Sequence, residues 1–221
     1  VSRRRKTVPA KQSRSPEPAR RSAILEAAQS CFWRNGIRRT AIDDIAREAH
    51  VAKGTVYLYF DSKEDLFAAL ASQMCADVLR AVEGALEASG PLSRRLALAL
   101  DAKIGHFHRL LSGTAHAAEL MESKAMAAQS FSELDAAFRK ALDRVLAGAG
   151  VGGDTHERGE ALDLILAAGY GTAQQGELRG ETSPEAYRAR LQRHLDLLLK
   201  GIRPKAPAVA RLGPGPGQRR G

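Results

Sequence analysis

Residues 40–60 read TAIDDIAREAHVAKGTVYLYF, and the spacing of their apolar side chains decides the fold. Ile42, Ile45, Ala46 and Ala49 recur at i, i+3, i+4 and i+7, one face of an α-helix rather than the alternation of a strand. Thr40, with Asp43 three residues on, has the form of a capping box, so a short helix is expected over about 41–48. A second rod is expected over about 53–59, in which Val56 and Phe60 lie four residues apart and face a small core. Its opposite side then presents Lys53, Thr55 and Tyr59, with Tyr57 at the edge and no carboxylate among them. Two short helices joined by a tight turn let the second lie in the DNA major groove while the first crosses the backbone. Gly54, lacking a side chain, would let the main chain approach a base or phosphate closely. Lys63, in the first turn of the following helix, adds a cation beside amides that already favour anions, which suits a phosphate.

Helical periodicity continues on both sides of this segment. Ile24, Ala28, Cys31 and Phe32 form one face of a helix over about 20–35, stopped by Gly36. Ser62 and Asp65 repeat the capping-box spacing ahead of Phe67, Leu70, Met74, Val78 and Val82, a helix running to about Leu86 and on the order of 35 Å long. Leu96, Leu100, Ile104, Phe107 and Leu111 share a face further on, as do Phe131, Leu134, Phe138, Leu142 and Val145. Asp154 with Glu157 caps a helix that is apolar nearly all round from Ala161 to Ala168 and therefore needs cover on more than one side. Ser183 and Pro184 open a last helix, striped by Tyr187, Leu191, Leu195 and Leu198 and ended by Pro204. The fold class is thus all-α with about nine helices: a three-helix helix-turn-helix domain at 20–66 and a helical domain at 67–203. The last two helices, about 155–176 and 184–202, are the expected subunit interface, packing on a two-fold copy as a four-helix bundle.

The net charge of +9 is unevenly placed. Residues 1–21 hold eight Lys or Arg and one Glu, and residues 201–221 hold five cations and no acid, so the body between them is mildly acidic. Both ends mix basic residues with Pro, Ser, Gly and Gln and have too little bulky apolar surface to repay ordering. Residues 1–19 and 204–221 are accordingly expected to be a disordered basic arm and tail. Cys31 and Cys75 fall on apolar helix faces, where reduced thiols serve as small hydrophobes. Neither a membrane span nor a secretory signal is legible, so a cytoplasmic location is expected.

The stretch TAIDDIAREAHVAKGTVYLYFDSKEDLF, preceded by ILEAAQSCFWRNG, resembles the DNA-binding domain of the TetR/AcrR family of bacterial regulators over about residues 20–70. Beyond about residue 75 the similarity is one of helix number, length and order. The resemblance implies a homodimeric transcription regulator, usually a repressor, that binds palindromic double-stranded operator DNA and is released by a small molecule. It makes Thr40 a phosphate contact as well as a cap, places Lys53, Gly54, Thr55, Tyr57 and Tyr59 at the DNA, and has Lys63 clamp a phosphate. One position departs from the pattern: the turn between the two short helices usually has Gly where this chain has His50. That position tends to need a positive φ, which His tolerates less well than Gly.

An effector pocket would be largely apolar with a few polar groups, and Phe107, His108, Met121, Met126, Phe131, Phe138 and Tyr170 are its candidate lining. Ordinary core packing competes with this reading at each of them. No metal or cofactor is expected: His106 and His108 are two apart and point to different helix faces. GAGVGG at 148–153 has the spacing of a dinucleotide loop but follows a helix rather than a strand. The acidic pairs Asp43–Asp44 and Glu119–Glu122 accompany no nucleophile, so an enzyme is not expected. The competing reading is a non-specific basic nucleic-acid-binding protein that acts through its tails.

Overall fold

Helical spacing of apolar residues carries through residues 17–180 and 183–202, the part of the chain described by the computed structural model. The expected basic tail, and all but the last three residues of the expected arm, lie outside the described residues. In chain order the helices are α1 (Glu17–Asn35), α2 (Ile42–Glu48), α3 (Lys53–Tyr57), α4 (Lys63–Glu87), α5 (Leu92–Leu100), α6 (His106–Ser112), α7 (Ala117–Ser123), α8 (Ala128–Gly148), α9 (Thr155–Leu178) and α10 (Pro184–Gly201). A π-helical turn, Asp101–Gly105, joins α5 to α6, and a 3-10 turn, Lys124–Ala127, joins α7 to α8. Among the described residues there is no strand, and no helix is long and apolar enough to cross a membrane. α1 begins at Glu17, ahead of the expected residue 20, because a helix's first turn tolerates Pro18.

Packing divides the chain into two units, and not at the expected boundary after residue 66. Among the described residues, the first unit comprises residues 17–75 together with Leu111–Phe131. Its core gathers Ile24, Ala28, Cys31 and Phe32 of α1, Ile45 of α2, Val56 of α3, and Phe60, Leu66, Phe67 and Leu70. Phe32 meets Phe67 edge to face, with centroids 6.0 Å apart. Each fully buried side chain of this size contributes roughly 1.5–3 kcal/mol. Leu120 and Ala127 belong to the same core, which is why the later segment counts with the first. Polar contacts fix it there. The Thr114 hydroxyl donates to the Trp33 carbonyl at 3.1 Å, and the Glu119 carboxylate accepts the Arg38 backbone N–H at 2.5 Å. Gly36 (φ +78°) is required twice, since a Cβ there would also collide with Glu119.

In the second unit, Val78, Val82 and Leu86 of α4, Leu96 and Leu100 of α5, Leu134, Phe138, Leu142 and Leu146 of α8, Ile165 of α9, and Leu191 and Leu195 of α10 are all buried. Gly169 admits close helix approach, because a Cβ there would lie 2.9 Å from Ile104 Cδ1. The single helical face expected from Leu96 to Leu111 is interrupted. The π turn inserts one residue, which rotates everything downstream by roughly 100°. Leu96, Leu100 and Ile104 therefore stay buried, whereas Phe107 is half-buried.

The caps largely follow the sequence. Ser62 Oγ accepts from Asp65 N at 3.0 Å, Asp154 Oδ1 from Glu157 N at 2.8 Å, and Ser183 Oγ from Ala186 N at 3.3 Å. Thr40 is the exception. Its hydroxyl is buried and donates to Gly36 O at 2.7 Å, with Cys31 O at 3.2 Å, tying it to the end of α1. The cap of α2 is Ala41 instead, whose backbone N–H is accepted by Asp44 Oδ2 at 3.1 Å.

α2 ends in a Schellman turn: Val51 N donates to Ala46 O at 2.9 Å and His50 N to Arg47 O at 3.2 Å. Between them His50 has φ +55°, the one positive φ outside glycine among the described residues. Relief of that strain outweighs the extra entropy Gly gives the unfolded chain, so His50→Gly should stabilise the protein by about 0.5–1 kcal/mol. Urea unfolding checks this; a destabilised variant would mean that the imidazole makes a compensating contact.

Candidate nucleic-acid interface

The turn at His50 sets how α3 is presented. Val56 is completely buried and Phe60 nearly so, and these two anchors fix which edge of α3 points outward. That edge carries Lys53 and Gly54, both exposed, half-buried Thr55, and Tyr57, which is 48% exposed. The helix is shorter than expected. It ends at Tyr57 because Tyr59 N and Phe60 N both turn back to Val56 O, at 3.0 Å each. Leaving the helical period has two effects. Tyr59 rolls inward, half-buried against the core, and so departs from the outward edge expected of it. Leu58, overlooked in the sequence because an apolar residue normally marks the inner face, is instead 82% exposed beside Tyr57.

The expectation of a carboxylate-free surface is also corrected. Lys53 Nζ pairs with Asp43 Oδ2 of α2 at 3.0 Å, a partner ten residues away that no inspection of α3 alone would supply. That hydrogen bond holds the ammonium above its usual pKa, so it stays fully charged. Arg38 pairs with Glu122 at 2.7 Å, Arg34 with Glu48 at 3.0 Å and Arg47 with Asp44 at 3.3 Å. Arg34 in turn holds the Glu48 carboxyl below its usual range. Eight cations and eight carboxylates fall within residues 17–75, so this stretch is formally neutral. All four pairs are solvent-exposed and worth little to stability, so a phosphate can exchange for the carboxylate at small cost.

Lys63 sits at the start of α4 and donates to Thr40 O at 3.2 Å and Arg38 O at 3.3 Å. The loop 38–40 is thus held by Lys63 at its carbonyls and by Glu119 at the Arg38 N–H. Thr40, with its hydroxyl turned inward, can offer DNA only its main chain in this arrangement. Arg38 and Arg39 on the same loop are exposed and add cations that sequence reasoning passed over.

The candidate effector residues are dispersed. In the first unit, Met121 and Met126 are exposed, at 51% and 44%, and Phe131 lies partly buried under the Lys124 ammonium, 4.9 Å from the ring centroid. In the second unit, Phe138 is core, Tyr170 is exposed, Phe107 is half-buried, and His108 Nε2 lies 3.1 Å from Ala173 O. A buried polar cluster in the second unit was not foreseen. Asp101 of the π turn is buried and receives Arg109 of α6 at 2.7 Å and Arg188 of α10 at 3.3 Å. The nearby Tyr187 hydroxyl donates to Gly169 O at 3.2 Å, and burial pushes its pKa well above the usual phenol range. Among the described residues no group of three His, Cys, Asp or Glu is placed to hold a metal ion.

Comparison with known proteins places these features in context. A family model described as "Bacterial regulatory proteins, tetR family" matches residues 24–70. The fatty acid metabolism regulator protein of Bacillus subtilis is 30% identical over 149 residues, which cover 65% of this chain and 73% of that protein. Among solved structures, the transcriptional regulator FadR from Bacillus subtilis in complex with stearoyl-CoA is 25% identical, with a TM-score of 0.59, covering 82% of this chain and 98% of its own. The flavonoid-responsive regulator FrrA is likewise 25% identical, with a TM-score of 0.62, covering 86% of this chain and 100% of its own.

Gly54 allows a sharp test of the interface. A Cβ there would meet nothing within 4 Å, so the fold itself does not require glycine. Gly54→Ala should hold or raise unfolding stability, by up to about 1 kcal/mol from helix propensity. Binding to a cognate duplex should nevertheless fall about tenfold or more, since one well-made protein–base contact is worth about 1–3 kcal/mol. Unchanged affinity in a fluorescence anisotropy titration would show that the Gly54 backbone does not approach the duplex.

Proposed function

Because the chain belongs to the TetR family of bacterial regulatory proteins, which are non-enzymatic DNA-binding transcription regulators, we propose that it is a repressor. In this reading it acts in the cytoplasm, binds a palindromic operator as a homodimer and is released by a small, partly apolar ligand. The observation that carries it is the outward edge of α3, where Lys53, Gly54, Thr55 and Tyr57 are offered while Val56 is locked in the core. Lys63 clamps a phosphate beside the loop that it already holds. The basic ends add sequence-independent attraction that the neutral stretch 17–75 lacks.

Dimerisation through α9 and α10 is supported by an uncharged stripe on α9. Leu164 (53% exposed), Ala167, Gly171, Gln174 and Leu178 (82% exposed) recur at helical spacing along it. Leu197 of α10 is also 69% exposed. Such apolar side chains, with small residues between them, suit burial against a two-fold copy. For the ligand, the two solved structures at 25% identity are named for different molecules. The relative at 30% identity over 149 residues, a fatty acid metabolism regulator, tips the class toward a fatty acyl compound.

Selection from random duplex DNA tests the reading. Recovered sites should be palindromes with half-site centres one helical turn apart, about 34–36 Å, or a multiple of it. Lys63→Ala should weaken all sequences alike and flatten the salt slope by about one unit. Because α1 begins at Glu17, removal of residues 1–16 and 203–221 should preserve discrimination between operator and random DNA. Collapse of specific binding in that truncated protein would favour a non-specific binder acting through its ends.

A further inference from the structure

The polar cluster of the second unit has a composition that packing alone does not explain. Asp101 is nearly buried, with 7% of its side chain exposed, and its two oxygens are taken by different guanidinium groups. Arg109 and Arg188 each reach it through a single nitrogen, Nη1, rather than by a two-pronged fork. Both guanidinium side chains remain about one-third exposed. Glu185, which also accepts from Arg188 at 2.8 Å, is 76% exposed and screened by water. The buried part of the cluster therefore holds two cations against one anion. An interior ion pair adds little net stability even when balanced, and this one is unbalanced.

Three further observations converge here. His106, one turn ahead of Arg109, has a buried Nε2 with no hydrogen-bond partner. Burial first, and then Arg109, hold its imidazole below the usual pKa, so it is neutral and one nitrogen can donate. Gly105 leaves room for the cluster: a Cβ there would displace the Asp101 carboxylate and lie 2.7 Å from Arg109 Nη1. The backbone at the cluster is π-helical, a conformation that often marks functional positions in helices.

We propose that Arg109 and Arg188, gathered around Asp101 at the π turn, receive the oxyanionic head group of the effector in competition with Asp101. The head group is either a carboxylate or a phosphate, since planar guanidinium forks match both. Asp101 holds the two guanidinium groups close together, and an incoming oxyanion takes up the donors that face away from it. This inference rests on the fatty acyl reading above and narrows it to the charged end of the ligand.

Isothermal titration calorimetry with decanoate, decanoyl-CoA and decanol on the full chain tests it. Arg109→Gln and Arg188→Gln should each weaken the anionic probe about tenfold or more, as loss of a charge-assisted hydrogen bond does, and leave decanol unchanged. Loss confined to decanoate identifies a carboxylate receptor, and loss confined to decanoyl-CoA a phosphate receptor. Asp101→Asn removes the internal competitor while keeping its shape, so it should tighten the same probe several-fold. A merely structural Asp101 would weaken all three probes together, which overturns the proposal. Binding of every probe with affinities untouched by the three variants overturns it too, yet leaves the fatty acyl reading standing. Failure of the wild-type chain to bind any probe defeats both. Should Arg188→Gln not fold, Arg109→Gln and Asp101→Asn carry the same comparison.

Discussion

The left-handed residue at His50 is the constraint on which the reading head depends. Without it the carbonyls of α2 would find no partners at the turn, and α3 could not leave at the angle that puts Val56 into the core. Once Val56 is buried, Gly54, about 200° around the helix from it, occupies the other side, with Lys53 and Thr55 flanking it. One strained residue and one apolar anchor thereby orient five residues too short to hold a helix by themselves.

Around that head, charge is arranged for exchange rather than for attraction. Lys53, Arg38, Arg34 and Arg47 each rest on a nearby carboxylate in exposed pairs that cost little to open. A DNA phosphate carries the same single negative charge as a carboxylate, but the duplex presents many of them in a dense array. Lys63 differs, since it grips the carbonyls of Arg38 and Thr40, while Glu119 holds the amide of Arg38 from the other direction. The loop before α2 is consequently tied at three backbone atoms, and it carries the exposed Arg38 and Arg39.

The helices were legible in the sequence because burial imposes a 3.6-residue period, strong from Ile24 to Leu70 and again in α8 and α10, while α9 showed itself by a nearly continuous apolar run. The caps at Ser62, Asp154 and Ser183 were legible for a related reason: they are local, requiring only three residues. Thr40 misled because the same hydroxyl had a second set of local acceptors at the end of α1, and burial favoured them. Tyr59 and Leu58 changed places because α3 stops after Tyr57, and a helix end is set by competition among turns that spacing does not reveal. The Lys53–Asp43 pair and the Asp101 cluster join residues from different helices, and no periodic pattern encodes such meetings. The π turn is likewise silent in sequence, since LALALDAKIGHFHRLL reads as one amphipathic run.

The central claim is that the outward edge of α3 lies against base edges in the major groove. The most direct measurement is the structure of the chain bound to its selected duplex. The account predicts Val56 still buried, with Lys53, the Gly54 backbone, Thr55 and Tyr57 facing the groove and Lys63 beside a phosphate. An α3 edge turned to solvent, with the duplex held elsewhere on the protein, would contradict it.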